Sequence, residues 1–138
     1  MDIKNFSSDQ KAVMNAILDM TSAFHKKDIE SVMASYEKNA VVVFEPEKPV
    51  SDPEGIRQGF FGFFAVNPKF EYFGHEVFVN GELAIHFAPW IMTGKTPDGV
   101  EIKQAGLSVA VLRKQANGKW LMLFDNPFGQ HLLDSVHK

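Results

Sequence analysis

Apolar side chains recur at helical spacing through the first half of the chain and at every second position through the rest. Ser7 and Gln10 stand at capping-box spacing, with Asp9 between them. Val13, Ile17, Met20, Thr21 and Phe24 follow on one stripe, with Met14 and Leu18 beside it. The pattern predicts a helix to about residue 26, where Lys26 and Lys27 suit the negative end of the helix dipole. Asp28 caps a second, short helix with Ile29, Val32, Met33 and Tyr36 on its apolar face, closed by Lys38-Asn39. The β-branched run 40–44 predicts a short buried strand, and Glu45-Pro46-Glu47-Lys48-Pro49 a turn. A third helix opens at Ser51 or Asp52 with Pro53 in its first turn. Ile56, Phe60, Phe63 and Phe64 share its face, Phe61 stands apart, and Asn67-Pro68 stops it.

From residue 69 the period is two. One strand is expected over 70–79, turned by Asn80-Gly81 into the next at 82–93. That second strand carries Leu83, Ile85, Phe87, Pro89 and Ile91 on one face and Ala84, His86, Ala88, Trp90 and Met92 on the other. Thr96-Pro97-Asp98-Gly99 leads to a long strand over 100–114, and Ala116-Asn117-Gly118 to the last. In the last strand Trp120, Met122, Phe124 and Asn126 fall on one face, and Leu121, Leu123 and Asp125 on the other. Both faces are apolar up to Asp125, so this strand is expected to be central and covered on both sides. A carboxylate there needs partners or shifts its pKa. Helices followed by hairpins predict an α+β fold, a curved, mostly antiparallel sheet wrapped around three helices. One domain is expected over 1–138, with its core at about 9–129 and a tail at 130–138 that caps the fold or crosses to a partner subunit. The half-closed interior of such a sheet is a natural ligand cavity.

Composition narrows the picture. A length of 138 residues with 45% hydrophobic residues fits one globular core. A net charge of −3 without a basic cluster leaves no nucleic-acid footprint. There is no cysteine, and no apolar run approaches the roughly 20 residues of a membrane span. The polar start lacks a signal-peptide core, so a cytoplasmic protein is expected. Thirteen Phe against two Tyr and two Trp point to a large apolar interior, a cavity or a buried subunit interface. No His-x-x-x-His or Glu-x-x-His spacing and no G-x-G-x-x-G loop occurs. Neither a metal nor any other cofactor is expected.

Several segments, Asp28-Ile29-Glu30-Ser31-Val32-Met33 with Tyr36, the run 40–43, Gly55-Ile56-Arg57, Gly118-Lys119-Trp120 and Asp125-Asn126-Pro127-Phe128-Gly129, carry a resemblance. Together they resemble the SnoaL-like, ketosteroid-isomerase-like branch of the nuclear transport factor 2-like superfamily, over about residues 9–129. The resemblance implies a cone-shaped, cystatin-like fold. It also implies a base at Glu45-Pro46, the end of the first strand, moving a proton α to a carbonyl, as the general base of ketosteroid isomerase does. The family's oxyanion tyrosine falls near Met20 and its partner acid near Ala110, so the usual oxyanion hole is missing and steroid isomerisation is not expected.

Glu45 and Asp125 are therefore the candidate catalytic residues, and Phe24, Tyr36, Phe60, Phe64, His86, Trp90 and Asn126 the candidate substrate-binding ones. Each has a plainer alternative. Glu45 is a solvated turn carboxylate near Lys48, Asp125 and Asn126 brace the turn at Pro127, and the Phe rings are core. His86 and Trp90, roughly 13 Å apart along their strand, line either a cavity or an outer face against a second subunit. His75 is a structural residue or a proton shuttle, while His25, His131 and His137 sit near element ends. The expected partners are a small apolar molecule and a second copy, in a homodimer through the sheet face. Three functions fit: acid–base chemistry of the isomerase, cyclase or dehydratase type on a small hydrophobic carbonyl compound, non-catalytic binding of such a molecule, or dimerisation alone.

Overall fold

The protein is described by a computed structural model over residues 1–136; His137 lies outside the described residues. A 3-10 turn (Ile3–Asn5) precedes α1 (Ser8–His25), α2 (Ile29–Met33), β1 (Tyr36–Glu45), β2 (Lys48–Val50), α3 (Pro53–Phe64), β3 (Lys69–Tyr72), β4 (Glu76–Asn80), β5 (Leu83–Lys95), β6 (Glu101–Lys114), β7 (Trp120–Asn126) and α4 (His131–Val136). The predicted start signals act as read. Ser7 and Gln10 form a reciprocal capping box, Asp28 accepts from the Ser31 amide and Asp52 from the Gly55 amide.

The strands form one curved, unclosed sheet in the order β2-β1-β7-β6-β5-β3, with β4 also paired to β5. All pairings are antiparallel except β1 with β7. The expected α+β architecture stands: helices cover the inner face, which carries the buried residues Ala84, His86, Ala88, Trp90 and Met92 of β5. Val13, Ile17, Thr21 and Phe24 of α1 and Ile56, Phe60 and Phe64 of α3 are buried on the helix side.

Four details differ from the sequence reading, each because strand pairing overrides local pattern. Tyr36 opens β1 instead of lying on the apolar face of an α2 that runs to Lys38-Asn39; the Met122 amide donates to the Ser35 carbonyl, and Tyr36 pairs with Met122. The 45–49 turn is a tight hairpin, with Glu47 at φ 69 and Pro49 in the short edge strand β2. The strand expected over 70–79 is two strands broken at Phe73-Gly74-His75, where Gly74 has φ 148. The break changes parity. Tyr72 pairs with Trp90 and Val77 with His86, so an even position points inward before the break and an odd one after it.

The fourth difference is in β7. Val111 pairs with Phe124 and Leu112 with Met122, which leaves Leu123 as an extra residue. Asp125 consequently pairs with the buried Ala110 and joins Met122 on the inner face, the opposite of what strict alternation predicts. The tail also has a defined course. Residues 127–130 fold back on their own chain, with the Gly129 amide donating to the Leu107 carbonyl and the Leu107 amide to Gln130 Oε1. A fourth helix, α4, follows, with Leu132, Leu133 and Val136 exposed.

His86 is fully buried, and its Nε2 lies 2.9 Å from His75 Nδ1, one proton joining the two rings. His86 Nδ1 has no hydrogen-bond partner among the described residues. Burial pushes the His86 pKa from its ordinary 6.5 down to about 4, and His75 reinforces the shift.

Both the folded-back strap and the buried histidine bear on stability. A Cβ on Gly106 would stand 2.8 Å from the Trp90 ring and 2.9 Å from both Pro127 O and Gln130 Oε1. Gly106→Ala should therefore cost about 1–3 kcal/mol in urea denaturation; an unchanged midpoint would show that the strap at 127–130 does not hold this position. For His86 the folded pKa lies below the unfolded one, so the unfolded chain binds more protons between pH 4 and 6.5. Its contribution, on the order of 3 kcal/mol, is complete above pH 6.5 and is lost as pH falls toward 4. Stability measured across that window should fall with acid in the wild type and fall less steeply in His86→Leu.

Candidate functional site

Between the inner sheet face and helices α1 and α3 lies a cavity of about 90 Å³, measured as space open to the centre of a water molecule. Its wall is mostly aromatic and aliphatic: Ile17, Met20 and Phe24 from α1, Val42, Val43 and Phe44 from β1, Phe60 and Phe63 from α3, Phe70 from β3, Trp90 from β5, Met122 from β7 and Pro127. The rings interlock edge to face. Phe44 and Phe60 have centroids 5.1 Å apart at 83°, Phe24 and Phe70 5.7 Å at 64°, and Phe70 and Trp90 5.2 Å at 64°. Gly59 makes room for this packing, because a Cβ there would stand 2.5 Å from the Phe44 ring. The side-chain polar groups at the wall are Thr21, Tyr36, Tyr72, Trp90, Ser108 and Asp125.

Asp125 is the single carboxylic acid among the lining residues. The parallel pairing of β1 with β7 and the Leu123 bulge bring it beneath Tyr36, whose hydroxyl donates to Asp125 Oδ2 at 2.6 Å. Burial pushes the Asp125 carboxyl above its ordinary value, and the Tyr36 hydroxyl opposes that rise by bonding to the carboxylate. Tyr36 itself is pushed well above 10, first by burial and then by the Asp125 charge. Tyr72 is pushed up to about 12, again mainly by burial. Both phenols thus keep their protons at neutral pH, and Asp125 is the cavity group suited to exchange one.

The other donors are committed. Thr21 Oγ1 donates to the Ile17 carbonyl at 2.9 Å and lies 2.7 Å from Tyr72 Oη. Thr21 has one hydroxyl proton, so Tyr72 is the donor of that second bond. Trp90 Nε1 donates to the Pro127 carbonyl at 2.9 Å.

Of the residues singled out from the sequence, the structure brings Asp125, Tyr36, Phe24, Phe60 and Trp90 together around the cavity. Glu45 stands apart. Its side chain is 67% exposed and paired with Lys48 at 3.1 Å, because it lies beyond the last inward residue of β1, at the edge hairpin. Asn126 accepts from the Phe128 amide at 2.9 Å and braces the turn after β7. Phe64 is buried behind the wall against Phe24 and Phe61. His86 faces inward, as one of its two readings had it, but is bonded to His75 and does not line the cavity. Ser108, which alternates with Gln104 and Ala110 on one face of its strand and fits either a cavity wall or a dimer face, lines the cavity; sequence reasoning missed Tyr72 and Thr21 as polar wall residues. The signal for Tyr72 was its place two residues after Phe70, on the same strand face. Among the described residues no three His, Asp or Glu side chains converge as metal ligands would.

Comparison with known proteins agrees with this architecture. A family model described as a SnoaL-like domain matches residues 17–121. A conserved protein from Planctomyces limnophilus superposes with a TM-score of 0.79 at 15% identity, covering 88% of this chain and 95% of that one. A ketosteroid isomerase-like protein from Erwinia carotovora atroseptica gives 0.75 at 19% identity, with 88% and 95% covered. A candidate dehydratase of the NTF2-like family from Streptomyces avermitilis gives 0.74 at 14% identity, with 84% and 92% covered. At these identities the likeness is one of fold. No curated protein matches the chain. The cone of helices on a curved sheet and the family match across most of the sequence lead to one conclusion: this chain belongs to the SnoaL-like family, in the NTF2-like, ketosteroid-isomerase-like branch of folds.

Proposed function

We propose that the protein is a cofactor-independent acid–base catalyst acting on a small hydrophobic carbonyl compound, with Asp125 in place of Glu45 as the proton-transferring group. One observation carries this reading: an acid with a raised pKa, held by the Tyr36 hydroxyl at 2.6 Å, faces an otherwise apolar cavity. Such a setting brings a carboxyl closer to neutral pH and strengthens its interactions by excluding water. In the forward step the Asp125 carboxylate takes a proton from the α-carbon, and the electron pair moves onto the carbonyl oxygen. In the return step the protonated carboxyl gives that proton back to the same carbon or to a conjugated one. Tyr36 limits the rise of the Asp125 pKa, so that part of it remains ionised. Among the folds to which this chain is similar, one is named ketosteroid isomerase-like and one is a candidate dehydratase, both names for proton-transfer chemistry.

A second reading is favoured by a different observation. Both tyrosine protons are bonded within the protein, so the phenols offer no donor to a developing enolate. A non-catalytic binder of small apolar molecules would need no such donor.

Incubation with cyclic ketones in heavy water, followed by mass spectrometry, separates the two. The wild type should place deuterium α to the carbonyl, and Asp125→Asn should lose at least about 100-fold of that rate, in the range of a general base. Tyr36→Phe should move the acidic limb of the pH profile to higher pH, because the carboxylate loses its donor and its pKa rises further. Saturable binding with no deuteration under any condition leaves the binder.

A homodimer through the outer sheet face is the proposed assembly. Phe78, Ile85, Val111, Phe124 and Val41 form one cross-strand apolar row spanning five strands. Phe87 and Val109 continue it in the next row. A row of this extent left in water is unusual for a monomer. Sedimentation should report a dimer for the wild type and a monomer for Ile85→Glu; a wild-type monomer at high concentration rejects this assembly.

A further inference from the structure

Five uncharged side-chain donors line the cavity, and the hydrogen-bond accounting leaves one of them over. Tyr36 donates to Asp125, Tyr72 to Thr21, Thr21 to the Ile17 carbonyl and Trp90 to the Pro127 carbonyl. Ser108 lines the same cavity, is only 8% exposed, and its hydroxyl has no hydrogen-bond partner among the described residues. It is also absent from the sealed-off polar atoms that lack a partner, the nitrogens of His86 and Trp120, so its oxygen is reachable from the cavity. Placing a hydroxyl on an inner wall without a protein partner is costly unless water or a ligand bonds to it.

Its position relative to Asp125 is set by strand register. Asp125 lies directly across from Ala110, and Ser108 is two residues along the same strand on the same face. Such diagonal neighbours are about 7–8 Å apart. That separation accommodates a carbonyl group and its α-carbon between the two side chains, each within hydrogen-bond reach. The geometry points to Ser108 as the residue that receives the ligand's carbonyl oxygen, with Asp125 at the α-carbon.

This rests on the proton-transfer reading above and adds what that reading lacks, a donor for the oxygen on which charge develops. As Asp125 withdraws the α-proton, the electron pair reaches the oxygen bonded to the Ser108 hydroxyl, which keeps its own proton throughout. Phe24, Phe44, Phe60, Phe63 and Phe70 line the cone and leave about 90 Å³ open to the centre of a water molecule.

The test is the isotope-edited infrared spectrum of cyclohexanone bound to the protein, together with α-deuteration in heavy water. In the wild type the bound carbonyl band should lie below its position in an apolar solvent. In Ser108→Ala the band should return to that position, with the melting temperature unchanged. Exchange should fall about 100-fold, the scale for losing one such donor, with KM little altered. A wild-type band that is unshifted, or equally shifted in Ser108→Ala, overturns the assignment, as does equal exchange in the two proteins. A shift that depends on Ser108 without any deuterium incorporation supports the oxygen contact and instead rejects proton transfer. Equal exchange in both proteins, abolished by Asp125→Asn, rejects Ser108 and keeps proton transfer.

Discussion

The bond from Tyr36 to Asp125 joins the first residue of the first strand to the penultimate residue of the last, at the polar spot of an aromatic cavity. A carboxyl group removed from water needs a donor, and the phenol is one that can itself be buried without leaving an unpaired charge. Meeting that need constrains a large part of the chain. β1 must begin early enough to carry Tyr36, it must run parallel to β7, and β7 must turn Asp125 inward. The one parallel pairing in the sheet and the extra residue at Leu123 are the means by which all three conditions hold.

The same irregularities shape the wall. A sheet of uninterrupted alternation would point Asp125 outward and would present Gly74 and Glu76 on the inner face in place of His75 and Val77. Two local departures from period two, at Leu123 and at Phe73-Gly74-His75, reverse this. The first places Asp125 at the cavity, and the second turns His75 and Val77 toward His86. Bulges and breaks beside sites re-aim side chains in this way because an odd residue rotates the strand by half a period. The aromatic wall then excludes water from the acid, which is the origin of its raised pKa and of the two phenols that retain their protons.

Glu45 illustrates how a local motif and a three-dimensional position diverge. A carboxylate before proline at a strand end matches the family's pattern, and in this chain it sits at an edge hairpin in solvent beside Lys48. Nothing in the residues near Glu45 reports which side of the sheet the turn leaves by. For Asp125 the reverse holds. The abrupt end of an apolar run marks it as the unusual residue, although strict alternation assigns it to the wrong face. Phe64 faces inward with its helix face, and His86, whose strand pattern left cavity wall and outer face open, does so too, but an inward residue reaches either the cavity or the packed core behind it.

Helix starts, the α+β order, the division of β5 into two faces and the apolar interior were all legible because they depend on neighbours two to four residues apart: caps, periodicity and turn residues. Local chemistry of that kind acts before the chain has a tertiary fold. What the sequence by itself left open was decided by contacts between distant segments: which strand runs beside β7, where the pairing slips by one residue, and which hydroxyls spend their protons on one another. Hydrogen bonds between residues 36 and 125 or 21 and 72 have no periodic signature. They arise because a buried polar group must find a partner wherever the folded chain provides one.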